Sequence, residues 1–168
     1  MSINISAVHF NNQSLEVMIA NALKETGLNP RNLELELTET SIMKDLKQSM
    51  ETLYTFNRIG LKIALDYFCT GYSSLSYLMQ LPFDRLKIDQ SFIRNLQTET
   101  KGSAIVSAII SMSHSLGMSV IAEGVEDIEH LQVLLPMHCD HIQGYHISRP
   151  LTADKFEAFV RERARQSA

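Results

Sequence analysis

Short runs of aliphatic and β-branched residues alternate with longer segments of helical period along the whole chain. Runs near 2–6 (SINIS), 33–37 (LELEL), 61–65 (LKIAL), 84–88 (DRLKI), 118–122 (MSVIA) and 140–143 (DHIQ) predict strands. Several are apolar on both sides, the pattern of strands covered on two faces. Between them, residues 13–26 put Leu15, Met18, Ile19, Ala22 and Leu23 on one helix face, stop at Gly27 and meet Pro30 beyond. Residues 41–59 carry Ile42, Leu46, Met50, Leu53 and Phe56 as a single stripe ending at Gly60. The segment 102–116 ends at Gly117 in the same way, and 127–136 and 152–165 supply two further helices. Strands separated by helices need crossover connections, so the predicted sheet is parallel and the fold α/β. No linker or low-complexity stretch interrupts the pattern, which makes residues 1–168 one unit. Two architectures fit: a doubly wound open sheet, or a (β/α)₈ barrel that is incomplete in this chain.

Composition changes the picture mainly by exclusion. A formal charge of −4, with no basic stripe interleaved with aromatics, argues against a nucleic-acid polymer as partner and against direct contact with an anionic membrane. Two cysteines, Cys69 and Cys139, make no disulfide framework, and free thiols fit a reducing compartment. No run reaches the roughly 18 apolar residues of a membrane span. The expected location is cytoplasmic, or the cytoplasmic part of a longer membrane-bound protein.

The candidate chemistry sits where the predicted strands end. In a parallel α/β protein the βα loops gather on one side, and sites form there. The first strand offers Asn4 and Ser6, the second Glu36 and Glu39, and the third Asp66. Lys87 and Asp89 follow from the fourth, Glu123 and Glu126 from the fifth, and Gln143 from the last. Carboxylates held together repel unless a cation neutralises them, and an all-oxygen set suits Mg²⁺, Mn²⁺ or Ca²⁺. A lone acid after a strand more commonly caps the next helix, and Glu39 and Asp89 fit that plainer role. The recurrence of acids or an amide at five of the six strand ends favours a site for the set.

The blocks "INISA", "LELELTETSIM", "GYSSLSYLMQLPFDRLKIDQSFIRNL", "VIAEGVE" and "HIQGYHISRPL" resemble, in order, the signature motifs of the EAL family of bacterial cyclic di-GMP phosphodiesterases. The resemblance runs from about residue 2 to about residue 155. It implies an incomplete TIM-like barrel of the EAL type, with about six of eight strands present, so that the chain is the C-terminal three-quarters of one EAL domain. It also implies hydrolysis of cyclic di-GMP to linear pGpG with two Mg²⁺ or Mn²⁺ ions. Carried over by motif, Asn4, Glu36, Asp66 and Glu123 match metal ligands, and Lys87 and Glu123 match catalytic positions. Glu126 and Gln143 match ligand-binding positions, and Glu39 matches the glutamate that steadies the loop after Asp66.

The sequence departs from the family at that loop. The family reads Asp-Asp-Phe-Gly-Thr-Gly where this chain has Asp66-Tyr67-Phe68-Cys69-Thr70-Gly71. Tyr67 replaces a metal-binding aspartate with a neutral phenol, a poor ligand for a hard cation. Cys69 replaces a glycine and adds a side chain where backbone freedom is called for. The Glu-Ala-Leu strand that names the family is expected upstream of Asn4, outside this chain. The expectation is therefore a degenerate module with little or no hydrolysis that senses cyclic di-GMP or mediates an interaction. The alternative is an active phosphodiesterase in a full-length form. Six strands leave edges open, so a homodimer or a barrel completed by a partner is also expected. The Met/Ile stripe of "SAIVSAIISMSHSL" reads as core or dimer packing. His138, Cys139, His141 and His146 are close in sequence, but alternate strand residues face opposite ways and would not converge on zinc.

Overall fold

In the computed structural model the described residues are 1–10, 12, 14–66, 75–94, 96 and 100–166. Six strands, β1 (Ser2–Ile5), β2 (Glu34–Thr38), β3 (Lys62–Asp66), β4 (Arg85–Ile88), β5 (Ser119–Glu123) and β6 (His141–Gln143), form one sheet in sequential order. Every neighbouring pair is parallel. Right-handed crossovers between sequentially adjacent strands put the connecting helices on one face of the sheet. The sheet is thus a half-barrel, and the doubly wound alternative, which needs helices on both faces, is excluded. Among the described residues no further strand pairs with the outer edge of β1 or of β6.

The helices are α1 (Ala7–Phe10), α2 (Leu15–Thr26), α3 (Glu39–Met43), α4 (Leu46–Arg58), α5 (Leu75–Leu78), α6 (Gln90–Arg94), α7 (Thr100–Ser115), α8 (Ile128–Leu134) and α9 (Ala153–Gln166). None is long and apolar enough to cross a membrane. The helix expected over 41–59 is two helices. Asp45 breaks the stripe by leaving helical geometry (φ −144°) and capping α4, its carboxylate accepting the Gln48 N–H at 3.1 Å. Apolar periodicity cannot register such a break, because Ile42 and Leu46 keep their spacing across it.

Of the strands expected to be apolar on both sides, β3 buries Ala64 on the face it shares with Glu36, but across the sheet as a whole the two faces differ. One face is apolar: Leu35, Leu37, Ile63, Leu65, Leu86, Ile88, Val120 and Ala122 are buried, with α3, α4, α6 and α7 packed on the strands. Leu53 and Phe56 of α4 and Val106 and Ile110 of α7 complete this core, so much of the α7 stripe is core packing. The other face points into the half-barrel and is largely polar, carrying Glu34, Glu36, Asp66, Arg85, Lys87, Ser119 and Glu123. Strand alternation enforces the division, since neighbouring residues of one strand face opposite sides.

Candidate active site

Lys87 lies at the centre of the C-terminal rim. Its ammonium is 2.5 Å from Glu36 of β2, 2.7 Å from Glu123 of β5 and 3.7 Å from Asp66 of β3. Four consecutive parallel strands thus deliver one charged side chain each to a single point. Lys87 and Asp66 are each only 5% exposed. Burial by itself would make the ammonium easier to neutralise, but the hydrogen bonds to Glu123 and Glu36 and the charges of Glu123 and Asp66 outweigh it. The Lys87 ammonium is therefore held well above the ordinary lysine range. Burial pushes the Glu123 carboxyl up; Lys87 opposes the shift, while Asp66 and Glu36 add to it.

The structure brings some of the sequence-predicted residues together and separates others. Glu36, Asp66, Lys87 and Glu123 are brought together. Asn4 is paired in register with Glu36 on the neighbouring strand, so its side chain shares the inner face, at the exposed edge. Glu126 and Gln143 line a cavity of about 330 Å³ beside Glu123, together with Gln90, Arg94 and Tyr145. Glu39 is buried at the start of α3, directly after β2. The loop it was expected to steady lies outside the described residues, and so do Tyr67 and Cys69.

A close backbone approach shapes the cavity. The Val125 N–H donates to the Gln143 carbonyl at 3.1 Å, and the His146 N–H donates to the Val125 carbonyl at 3.0 Å. Parallel pairing is thereby prolonged past the ends of β5 and β6. Gly144 permits it, since a Cβ there would lie 2.2 Å from the Val125 carbonyl oxygen. On the other side Gly124, at φ 71°, faces Gln90, whose Cβ would lie 2.5 Å from an added side chain.

Three contributors escaped sequence reasoning. Ser2 donates from its hydroxyl to Glu36 at 2.5 Å, fixing the carboxylate from the side opposite Lys87. Arg94 and Tyr145 enter the cavity from α6 and from the segment after β6. Both lie within motifs that resemble the family, which was the available signal, but a five-residue helix such as α6 has too little period to be read. Cys139 donates its thiol to the His141 carbonyl at 3.2 Å, and burial pushes that thiol up.

The donor set has the chemistry of a hard-cation site. Three carboxylates against one ammonium leave an excess of two negative charges when all are ionised, and every donor is oxygen. The charge and chemistry suit one divalent cation, but the carboxylates close on Lys87. Among the described residues no three acids, imidazoles or thiols stand close enough together to hold a metal ion in this arrangement.

The chain is 44% identical over 166 residues to the signaling protein YkoW of Bacillus subtilis, a match covering 99% of this chain and 21% of that protein. The chain therefore spans about a fifth of the length of this relative. A structure of the MucR phosphodiesterase of Pseudomonas aeruginosa in complex with cyclic di-GMP superposes with a TM-score of 0.88 at 38% identity, covering 92% of this chain and 63% of the other. A manganese and cyclic di-GMP complex of BlrP1 from Klebsiella pneumoniae superposes with a TM-score of 0.81 at 30% identity, over 89% of this chain and 38% of that one. The EAL domain profile matches residues 1–150. By sequence and by fold, the chain belongs to the EAL domain family of cyclic di-GMP phosphodiesterases.

Proposed function

We propose that this chain is the greater part of an EAL domain whose C-terminal rim recognises cyclic di-GMP, and that it turns the dinucleotide over little or not at all. It would act as a sensor or interaction module. One contrast carries this reading: Glu36, Asp66 and Glu123 converge on Lys87, while the position after Asp66 holds Tyr67. A phenol neutral at physiological pH cannot supply the second carboxylate that a pair of hard cations would share.

Asn4, Glu36, Asp66 and Glu123 would hold one Mg²⁺ or Mn²⁺ only once the carboxylates part from Lys87, on which they close in this arrangement. When bound, such a cation lowers the pKa of its water and offsets charge on phosphate oxygens. Lys87 bridges the carboxylates and restrains their mutual repulsion, and its ammonium presents a fixed positive charge toward a phosphodiester. Glu126 and Gln143, beside Arg94 and Tyr145, line the space next to it where a nucleotide base can be excluded from water.

The test is calorimetry of this chain with cyclic di-GMP, with and without Mg²⁺ or Mn²⁺, beside an assay for pGpG. Binding with no turnover is expected, and steady release of pGpG would overturn the degenerate reading. A second reading, activity in a longer form carrying the strand expected upstream of Asn4, is favoured by the intact Lys87 cluster. That longer form hydrolysing cyclic di-GMP despite Tyr67 would establish it. The open edges of β1 and β6 also favour closure by a second copy or another partner, which sedimentation of the isolated chain would reveal as a dimer or larger species.

A further inference from the structure

His130 is a buried imidazole, 6% exposed, with no part in the proposed chemistry. It is the third residue of α8, whose N-cap is Asp127. The ring nitrogen Nδ1 stands between two groups that want opposite things from it. Asp127 Oδ1, 2.9 Å away, can only accept a hydrogen bond, whereas the Glu126 backbone N–H, 3.5 Å away, can only donate one. A single imidazole nitrogen carries either a proton or an available lone pair, so both cannot be satisfied at once.

We propose that His130 is a positioning residue for the Glu126 segment, and that its proton selects between two arrangements of that segment. With Nδ1 protonated the ring is committed to Asp127, and the Glu126 N–H loses its acceptor. With the proton on Nε2 alone, Nδ1 accepts the Glu126 N–H and holds the turn that leads from Glu123 into the 330 Å³ cavity. Asp127 itself is not lost in either state, because its carboxylate also accepts the His130 backbone N–H at 2.9 Å and caps α8. Among the described residues Asp127 is the carboxylate in ion-pair contact with the ring. Glu126 is the other charged residue of this segment facing it, through its backbone. From the segment after β6, His146 is the titratable residue joined here, by its N–H to the Val125 carbonyl. The consequence for ligand binding rests on the reading that Glu126 lines the dinucleotide site; the proton selection itself does not.

The experiment is a ¹⁵N NMR titration of the whole chain from about pH 5 to about pH 8.5, the span in which histidine switches operate. The Glu126 amide and the His130 ring nitrogens are expected to titrate with one midpoint. In His130→Gln, whose amide oxygen accepts without titrating, that Glu126 transition is expected to vanish. Asp127→Asn keeps a capping oxygen but removes the carboxylate that competes for Nδ1, so the Glu126 amide is expected to hold its bonded position over more of the range. A Glu126 amide that stays flat in the unaltered chain overturns the proposal, as does a transition that persists unchanged in His130→Gln. Cyclic di-GMP affinity, measured over the same range, is expected to rise several-fold with pH in the unaltered chain and to stay level in His130→Gln. Failure to bind the dinucleotide at any pH overturns the proposed function, while the amide titration decides the role of His130 independently.

Discussion

The two ends of the half-barrel use the same strands and the same kinds of charged residue, and they arrange them differently. At the N-terminal end charges meet in pairs. Lys62 is bonded to Asp84 at 2.5 Å, Arg85 to Glu34 at 3.1 Å and His114 to Asp140 at 2.8 Å. Two of these acids also pin backbone: Asp84 accepts the Ile63 N–H at 3.0 Å, and Asp140 accepts the Val120 N–H at 2.8 Å. Each does so one strand back from its own position, which stitches the starts of β3 and β5 to the segments preceding β4 and β6. At the C-terminal end one ammonium faces three carboxylates. The N-terminal end even holds the roomier cavity, about 610 Å³ against about 330 Å³, lined by the Lys62–Asp84 and Arg85–Glu34 pairs. Balanced pairs satisfy their own charge and serve stability; the rim acids carry an excess of negative charge that Lys87 alone does not neutralise. Charge balance, not cavity size, distinguishes the end proposed as the site.

The sharpest way to break the comparison is to remove the cation from each end. Lys87→Met removes the ammonium that faces three acids, of which Asp66 is buried, and is expected to cost about 3–5 kcal/mol in urea denaturation. Lys62→Met should cost no more than about 1 kcal/mol, because Lys62 is half exposed and its pair is screened by water. Equal losses at the two ends would show that the Lys87 cluster is no more consequential than a surface pair. Added Mg²⁺ or Mn²⁺ should restore part of the stability lost in Lys87→Met, read as a rise in melting temperature, and should leave Lys62→Met unmoved.

A smaller effect is expected from the backbone-pinning role. Asp84→Ala strips the Ile63 N–H of its acceptor at a half-buried position and is expected to cost about 1–3 kcal/mol. Asp84→Asn keeps an oxygen there and should recover most of that loss, while giving up the Lys62 charge pair. If alanine and asparagine cost the same, the ion pair matters more than the backbone bond, and the stitching role assigned to the N-terminal end fails.

The strands were legible because their β-branched runs, bounded by glycines and polar clusters, are local signals; their bounds moved by only a residue or two. The rim residues were legible for a related reason, since a residue ending a strand has a fixed side and a fixed height in a parallel sheet. Three features were hidden. Glu34, Glu36, Arg85 and Lys87 alternate with aliphatic neighbours just as a solvated face would, so their enclosure depends on sheet curvature, which no local pattern encodes. The break at Asp45 preserves helical spacing on both sides. The Gly144 approach to Val125 is a contact between segments nearly twenty residues apart, and a glycine in sequence does not say what it lets near.

Acid provides the last and smallest test, because the two ends should respond with opposite signs. Burial acts against the charge of Asp140, but the His114 bond, the Val120 N–H and the nearby His141 together hold its carboxyl below the ordinary range. A depressed folded pKa means stability present above the unfolded value near 3.9 and lost as pH falls through the folded one. Glu123 runs the other way. Its folded pKa is raised, so its contribution is most favourable below the unfolded value near 4.3 and declines as pH climbs through the folded one. Asp140→Asn should therefore flatten the acid limb of a stability-against-pH curve below about pH 4, meeting the unaltered chain in acid and falling below it at pH 7 by a margin kept small because the pair is partly exposed. Glu123→Gln should instead remove a decline above about pH 4.5, leaving the variant relatively more stable toward neutrality than in acid. Urea midpoints measured from about pH 3 to about pH 8 for both variants decide it. Curves that shift in the same direction would mean that the rim acids are balanced after all, and the contrast between the two ends would then reduce to geometry alone.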